Sequence, residues 1–203
     1  MPQISKQQFF LALALVALLV AAVAFAFSSV ASDSQSAATL PLPAHPDAKD
    51  EEPEIRKYIL GLQREDFATY IHPEYGYSFS YPKDFIISTF KGDDSDVVVA
   101  EHPKLDFGFQ IIAQPAGEEG AITKERISEG DPSIVVENPV EFLIDDETPA
   151  LRFSSRDDTG RETREIWFIH AGSFYQITLH SAEPGRLDPW IRMLGTDFRF
   201  GSF

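Results

Sequence analysis

Histidine is the residue type in this 203-residue chain that most readily binds a metal or transfers a proton near neutral pH. His170 and His180 lie in the two predicted strands of one hairpin, whose turn is residues 171–173. They would be roughly 20 Å apart at about 3.3 Å per strand residue, because His170 is beside the turn and His180 is at the far end. Two histidines at that distance cannot share a metal ion. We therefore predict surface or locally hydrogen-bonded histidines, and no metal site, here and at His45, His72 and His102.

Carboxylates form two short clusters that could attract a hard cation. The first cluster holds Asp93, Asp94 and Asp96, and the second holds Asp145, Asp146 and Glu147. A calcium ion needs about six to eight converging oxygen ligands, and neither cluster has the spacing of a known calcium loop. We predict solvated turns in which the Asp side chains bond to the backbone, with weak divalent-ion binding as the alternative.

Four arginines form the strongest candidate for a binding surface. They are Arg152, Arg156, Arg161 and Arg164, and they surround a predicted turn at residues 157–160. A local basic patch on an acidic domain suits an acidic partner. The alternative is that nearby carboxylates neutralise the arginines as surface ion pairs, which contribute little to stability. Those carboxylates are Asp157, Asp158, Glu162 and Glu165.

A search for catalytic motifs assigns no reaction. The chain contains no G-x-S-x-G, H-E-x-x-H, G-x-x-x-x-G-K-[ST] or G-x-G-x-x-G motif and no EF-hand loop. We predict no catalytic residue and no cofactor. One alternative is a hydrolase that uses Ser154 or Ser155, which requires a serine hydroxyl within about 3 Å of an imidazole nitrogen in a cleft. The other alternative is a small-ligand-binding domain with an apolar pocket of at least ~300 Å³.

Composition narrows the classes of partner. The chain carries 32 Asp and Glu against 17 Lys and Arg, a formal net charge of −15. Binding to nucleic acid needs Lys and Arg that replace phosphate counterions, so this balance argues against a nucleic acid partner. It also argues against docking on anionic lipid head groups. The chain has no cysteine, which excludes disulfides, thiolate metal sites and lipid attachment to an N-terminal cysteine.

The N-terminal region contains nineteen consecutive uncharged residues, Phe9 to Phe27. As a helix this run would be roughly 28 Å long, close to the ~30 Å hydrocarbon thickness of a bilayer. It is longer than the apolar part of an ordinary secretory signal, which favours a retained membrane anchor over a signal cleaved near residues 29–31. Lys6 precedes the run and mostly carboxylates follow it. The N-terminus is therefore predicted to be cytoplasmic and the C-terminal domain extracytoplasmic.

Changes in composition divide the chain into three parts. Residues 1–27 form the cytoplasmic tip and the membrane anchor. Residues 28–54, rich in Ser, Ala, Pro and acidic residues, form a predicted disordered tether, because they cannot bury enough apolar surface to offset the entropy of ordering. Residues 55–203 form one domain, which is large enough for a self-sufficient core.

Strands must position the candidate side chains, and they are predicted where apolar and polar residues alternate along the sequence. Tyr77, Phe79 and Tyr81 alternate with Ser78 and Ser80, which predicts a half-buried strand that ends at Pro82. Further strands are predicted at 85–90, 97–101, 107–113, 150–155, 164–170 and 174–180. Residues 166–169 are apolar on both faces of their strand, so that strand needs cover on both sides.

Three helices are predicted from apolar spacing and capping residues. The first covers residues 55–67 and the second covers residues 121–129, with Thr123 as its N-cap. The third covers residues 187–194, with Asp188 as its N-cap and Gly195 at its end.

Two segments carry a family resemblance. Residues 70–85 (YIHPEYGYSFSYPKDF) and residues 172–177 (GSFYQI), followed by a helix and by residues 196–200 (TDFRF), look like the start and finish of PsbP-like domains. That group is similar in fold to the Mog1 proteins. The resemblance implies a central antiparallel sheet with helices on both faces. It also implies an accessory or assembly subunit rather than an enzyme.

The combined expectation is an α+β domain with a central antiparallel sheet of about six strands, preceded by one N-terminal transmembrane helix. The predicted function is that of a membrane-anchored extracytoplasmic accessory or assembly module. Its predicted partners are the membrane, through residues 9–27, and an envelope protein.

Overall fold

The computed structural model describes residues 54–157, 159–181 and 187–201. The predicted anchor at residues 9–27 and all of the predicted tether except Glu54 lie outside the described residues. In the described part of the chain, no helix combines the length and the apolar character that crossing a bilayer requires.

Short helices separate groups of consecutive strands along the described residues. The helices are α1 (Glu54–Gly61), α2 (Lys124–Gly130) and α3 (Leu187–Asp197), with a 3₁₀ turn at Arg64–Asp66. The first five strands are β1 (Phe67–Ile71), β2 (Tyr77–Pro82), β3 (Ile86–Lys91), β4 (Asp96–Glu101) and β5 (Phe107–Pro115). The others are β6 (Glu137–Ile144), β7 (Thr148–Arg156), β8 (Glu162–His170), β9 (Ser173–Ser181) and β10 (Arg199–Phe200).

The strands form two antiparallel sheets. The main sheet has seven strands in the order β3-β4-β5-β9-β8-β7-β6, and the small sheet has the order β1-β2-β10. The α+β class and the antiparallel pairing are confirmed. The prediction of one sheet of about six strands is incomplete, because it lacked β6 and the strand β1 of the small sheet.

The main sheet has two faces with different side chains. The core face presents residues of the main hydrophobic cluster, among them Phe109, Ile111, Ile166, Phe168 and Ile177. The opposite face, here called the crossover face, presents the alternate residues of the same strands. Its buried members include Ile112, Leu151, Phe153, Trp167 and Phe174.

The core face is covered by α3, the small sheet and the start of α1. Trp190, Ile191 and Leu194 of α3 and Ile55 of α1 belong to the main cluster. Aromatic rings fill much of the space between the two sheets. The ring of Tyr77 stacks at 5.0 Å on that of Phe198, for example.

The crossover face takes its name from residues 116–136, which connect β5 to β6 and contain α2. Because β9, β8 and β7 lie between β5 and β6 in the sheet, this connection must cross three strands. It begins where Pro115 pairs with Ser173 and ends at the opposite end of the sheet, where Glu137 pairs with Ser154. The connection also buries apolar side chains that do not belong to the main cluster of the core face, namely Ile122, Ile127 and Val136. The predicted cover on both sides of residues 166–169 is therefore present.

Two of the predicted helices have different ends in the structure. The first ends at Gly61 instead of residue 67, because Phe67 already pairs with Pro82 as the start of β1. The second begins at Lys124 instead of residue 121. Its predicted N-cap is confirmed, since Thr123 Oγ1 accepts the backbone N–H of Arg126 at 3.3 Å.

The third predicted helix does not end at Gly195. It continues to Asp197, and Gly195 is buried inside it. A Cβ atom at position 195 would lie 3.0 Å from Cε2 of Phe142, so the glycine lets the helix approach the sheet closely. The prediction of Asp188 as the N-cap is wrong, because the helix already includes Leu187; the Asp188 carboxylate instead accepts a hydrogen bond from Arg164 Nε at 2.7 Å.

Candidate functional site

The four predicted arginines differ in how they are paired. Arg161 Nη1 lies 2.7 Å from Asp106 Oδ2, and its Nε lies 3.3 Å from Asp157 Oδ2. Arg164 forms ion pairs with Glu162 and, at 2.7 Å, with Asp188. Burial lowers the pKa of Arg164, but its hydrogen bonds to these two carboxylates outweigh burial and raise it.

Arg152 and Arg156 make weaker contacts than the other two arginines. Arg156 Nη1 donates to the carbonyl of Gly160 at 3.3 Å, and the Arg152 guanidinium lies 6.0 Å from the centroid of the Phe142 ring. Partial burial, and then the charge of Arg192, lower the pKa of Arg152. Arg192 is therefore a further member of this basic region. Sequence reasoning did not identify Arg192, because only the fold brings α3 close to Arg152.

His72 and His102 occupy two copies of one turn. In each copy the backbone N–H of the histidine donates to the backbone carbonyl five residues later. The distances are 2.8 Å from His72 to Tyr77 and 3.0 Å from His102 to Phe107. Each Nδ1 accepts the backbone N–H groups two and three residues later. Each Nε2 lies 3.6 Å from a carboxylate oxygen, of Asp96 for His72 and of Asp84 for His102. An Nδ1 that accepts places the proton of the neutral ring on Nε2, so these histidines organise turns.

The first of these turns is surrounded by tyrosine rings. The His72 ring centroid lies 5.2 Å from that of Tyr75 and 4.9 Å from that of Tyr77. Burial lowers the pKa of His72, in spite of the opposing charges of Asp96 and Glu74. Burial also raises the pKa of Tyr77, and it raises that of nearby Tyr175 to about 12. These phenols are therefore protonated at neutral pH.

His170 and His180 lie far apart, as predicted. His170 pairs with Ser173 beside the turn, and His180 pairs with Thr163 near the other end of the two strands. His170 Nδ1 is 2.8 Å from Thr148 Oγ1, and its ring stacks at 3.6 Å on Phe200. Within residues 54–157, 159–181 and 187–201, no group of three or more His, Asp or Glu is arranged to hold a metal ion.

The second acidic cluster and most of the first lie in turns. Asp93 and Asp94 lie between β3 and β4, but Asp96 is the first residue of β4 and its carboxylate lies 3.6 Å from His72 Nε2, so the predicted solvated turn is wrong for Asp96. Asp145 and Asp146 have left-handed backbone conformations, with φ of 54° and 59°. Asp145 also bonds to Arg199 Nε and to the backbone N–H of Phe200, both at 3.3 Å, so its side chain joins the turn to β10.

The geometry required of a serine hydrolase is not found at the predicted serines. Ser154 and Ser155 are both buried in β7. In the part of the chain that the structure describes, neither hydroxyl forms a hydrogen bond with a histidine. His180, the histidine on the same sheet face as Ser155, is separated from it by the intervening strand residue Thr163.

Glu165 is not a surface partner of the arginines, which corrects one prediction. It is fully buried on the crossover face and accepts hydrogen bonds from four neighbouring side chains. The closest donors are Thr178 Oγ1 at 2.7 Å and Thr163 Oγ1 at 2.8 Å, followed by Trp167 Nε1 at 3.1 Å and Gln176 Nε2 at 3.5 Å. Burial raises the pKa of Glu165, and the four hydrogen bonds offset only part of this effect. A sequence pattern could have indicated this burial, because Thr163, Glu165 and Trp167 are alternate residues of β8 and therefore share one face.

Strand β6 forms an open edge of the main sheet. Among the described residues it pairs with β7 alone. Its core-face side chains Phe142 and Ile144 pack on the main cluster, whereas Leu143 on the crossover side is 54% exposed. A cleft of about 250 Å³ lies between residues 121–123 of the crossover and β6 and β7. The cleft is smaller than the ~300 Å³ expected for a small-ligand site.

The surface around this edge is strongly acidic. Residues 116–147 contain ten carboxylates and two basic side chains. One of the two, Arg126, donates to the carbonyls of Glu118, Gly120 and Ala121, and so fixes the crossover loop. The edge therefore combines exposed aliphatic side chains with a negative field.

Comparison with known proteins supports the fold. No family model matches the chain, and no curated protein matches it by sequence. The solution structure of cyanobacterial PsbP (CyanoP) from Synechocystis sp. PCC 6803 matches with a TM-score of 0.50 and 16% identity, over 70% of this chain and 96% of that one. A crystal structure from Bacteroides thetaiotaomicron VPI-5482 matches with a TM-score of 0.43 and 13% identity, over 68% of this chain and 49% of that one. The domain thus has a PsbP-like fold.

Proposed function

We propose that this protein is a membrane-anchored accessory or assembly module that acts outside the cytoplasm. Residues 9–27 hold the chain in the membrane with the N-terminus in the cytoplasm, and the domain binds an envelope protein without catalysing a reaction. The uncharged run and the unequal charge on its two sides support this location. The resemblance to PsbP-like domains, whose fold this domain shares, supports an accessory role.

The observation that carries the proposal is the exposed edge at β6. Val140 and Leu143 are 43% and 54% exposed, although Phe142 and Ile144 fix the same strand on the core. A rigid strand with exposed aliphatic side chains and one unpaired edge is suited to binding another protein. Natural sheets usually cover or shorten such an edge.

The arginine surface is proposed as a second contact. Its predicted members are Arg152, Arg156, Arg161 and Arg164, and an acidic partner would suit it. Arg152 and Arg156 are the members we expect to contact that partner, because Arg161 and Arg164 already pair with carboxylates. Each exposed ion pair is worth at most about 1 kcal/mol, so this surface contributes less than β6.

The proposed location can be tested with a protease added to protoplasts. The domain should be digested in intact protoplasts, while a cytoplasmic control protein stays whole. A domain that is digested only after the membrane is permeabilised would place it in the cytoplasm and overturn the proposal.

Partner binding can be tested by affinity capture of the full chain from detergent-solubilised native membranes. We expect an envelope protein to be recovered reproducibly with the wild type and lost with Leu143→Lys. The matched control is Leu60→Lys on α1, because Leu60 is also exposed, at 66%, but lies away from β6. Recovery of no specific protein, or equal recovery with both variants, would contradict the proposal.

A further inference from the structure

We infer that β6 binds an extended, basic segment of a partner protein as an additional strand of the main sheet. This inference rests on the proposed function and names the chemistry of the partner. In this binding mode the backbone supplies hydrogen bonds along the strand, and pockets for alternate side chains supply specificity.

No described residue pairs with the outer backbone edge of β6, which leaves it available for such pairing. Leu143 lies opposite Pro149, which has no N–H, and antiparallel pairs alternate between bonded and non-bonded positions. Since a proline cannot take part in a bonded pair, the N–H and C=O groups of Leu143, and of Glu141 two residues earlier, point to the open edge. Phe142 and Ile144 hold the strand on the core, so little ordering is needed on binding.

Side-chain space next to the edge fits one aliphatic residue of the incoming strand. The cleft beside β6 is bounded by Ala121, Ile122, Leu143 and Pro149, with Thr123 and Glu141 at its polar side. A strand added to β6 would direct every second side chain to this face. A Val, Ile or Leu of the partner would therefore contact Leu143 at the mouth of the cleft.

Charge selects among the strands that could bind. Glu141 lies within the open part of β6, and Asp146 and Glu147 follow at its end, next to Asp145, which already pairs with Arg199. An acidic strand would be repelled, and a neutral one would provide no charge to pair with Glu141. Glu141 and Leu143 lie on the same face of β6, so a Lys or Arg two residues from the aliphatic residue that contacts Leu143 would face Glu141 and be attracted, which identifies the occupant as a basic segment.

A bulge and a proline near the start of β6 limit the length of the site. Register between β6 and β7 shifts between Glu137 and Val140, and Asn138 in this interval has a φ of 50°. Pro139 adjoins it and provides no N–H. Bulges and prolines of this kind protect sheet edges from non-specific pairing. Pairing is therefore confined to residues 140–144.

The test uses the full chain in detergent and the synthetic peptide TKTVTKT, in which the Val and both Lys residues share one face. The matched peptides are TETVTET and TKTVTKT with N-methylvaline as its fourth residue. We expect TKTVTKT to bind and to slow amide hydrogen exchange at residues 140–144 only. The strand β3 is the internal control, because it is the other outer strand of the main sheet and its Ile86 is 58% exposed. TETVTET should not bind, and the N-methylvaline peptide should bind at least about tenfold more weakly, since the methyl group removes a strand hydrogen bond.

Three variants separate backbone pairing from general charge attraction. Leu143→Pro removes the outward N–H and should abolish exchange protection, and Leu143→Ala should weaken binding while Ile86→Ala leaves it unchanged. Raising the salt concentration should weaken binding several-fold. Equal protection of β3, equal binding of the three peptides, or protection without peptide that grows with protein concentration would overturn the inference; the last result would identify a second copy as the occupant. If one of these results is obtained and affinity capture still recovers a partner that depends on Leu143, the inference fails while the proposed function stands.

Discussion

The two faces of the main sheet are built from the same strands but differ in packing and polarity. The core face is packed with aromatic and aliphatic side chains, and in it Phe109 and Ile177 are almost completely buried. The crossover face combines Phe153 and Trp167 with the buried carboxylate of Glu165, and it leads outward to the exposed edge at Leu143. One face therefore supplies mainly stability, and the other supplies a polar network and an interaction surface.

This difference shows where function can be placed in a fold of this kind. A central sheet with a closely packed core on one side can tolerate a polar group on the other, provided that its hydrogen bonds are satisfied. Glu165 meets this condition through four donors on two neighbouring strands. The following predictions test whether the two faces contribute as described.

The largest expected effect is on the core face. Phe109→Ala should lower the free energy of unfolding by about 3–5 kcal/mol, because it removes a buried ring and leaves a cavity among packed neighbours. The matched control is Phe90→Ala on β3, where the ring is 51% exposed and the loss should be below about 1 kcal/mol. Chemical denaturation of the full chain in detergent measures both values. Similar losses for the two variants would show that the core face is not the main source of stability.

A smaller effect is expected where α3 meets the core face. Gly195→Ala should destabilise the domain by about 1–3 kcal/mol, because its Cβ would lie 3.0 Å from Phe142 Cε2. Gly61→Ala is the matched control in a helix, since no atom lies within 4 Å of its added Cβ. That change should be neutral or stabilising by up to about 1 kcal/mol. The melting temperatures of the two variants give the comparison, and a harmless Gly195→Ala would mean that α3 is not closely packed there.

The third prediction concerns pH and the crossover face. The pKa of Glu165 is raised in the folded state, so the folded protein binds this proton more tightly than the unfolded chain does. Its contribution to stability is therefore fully present below the unfolded glutamate pKa of about 4.3, and it is lost as the pH rises through the folded value. Glu165→Gln removes this dependence.

Unfolding free energies of the wild type and Glu165→Gln, measured between about pH 4 and pH 8, test the sign of the effect. The advantage of the wild type over the variant should shrink as the pH rises. The matched control is Glu162→Gln at the start of β8, whose effect should not follow this pattern because Glu162 pairs with Arg164 at a partly exposed position. An advantage that grows with pH would show that the four donors outweigh burial.

Strands were predicted correctly where alternating burial produces an alternation of apolar and polar residues in the sequence. Tyr77, Phe79 and Tyr81 alternate with serines, and β2 lies at this position. Local hydrogen bonding also left a clear signal, since Thr123 is the N-cap of α2. The helix over residues 187–194 was predicted, but its predicted end is wrong. A glycine after a helical pattern usually indicates the end of the helix, and the contact of Gly195 with Phe142 is visible only in the structure.

The parts that could not be predicted depend on contacts between distant segments. Strand β6 has few buried residues, and Asn138-Pro139 resembles a turn, so its pairing with β7 left no local pattern. Glu165 was taken for a surface charge, because the donors Gln176 and Thr178 come from the next strand. The four arginines were predicted to surround one turn, but the carboxylate partners Asp106 of Arg161 and Asp188 of Arg164 are remote in sequence.

The most direct test of the account is site-specific photo-crosslinking of the full chain in native membranes. A photoreactive amino acid replaces Leu143 on β6 or, as the control, Leu60 on α1; both side chains are exposed. We expect one reproducible crosslink from position 143 to an extracytoplasmic segment of an envelope protein, and none from position 60. No crosslink from position 143, or the same products from both positions, would contradict it.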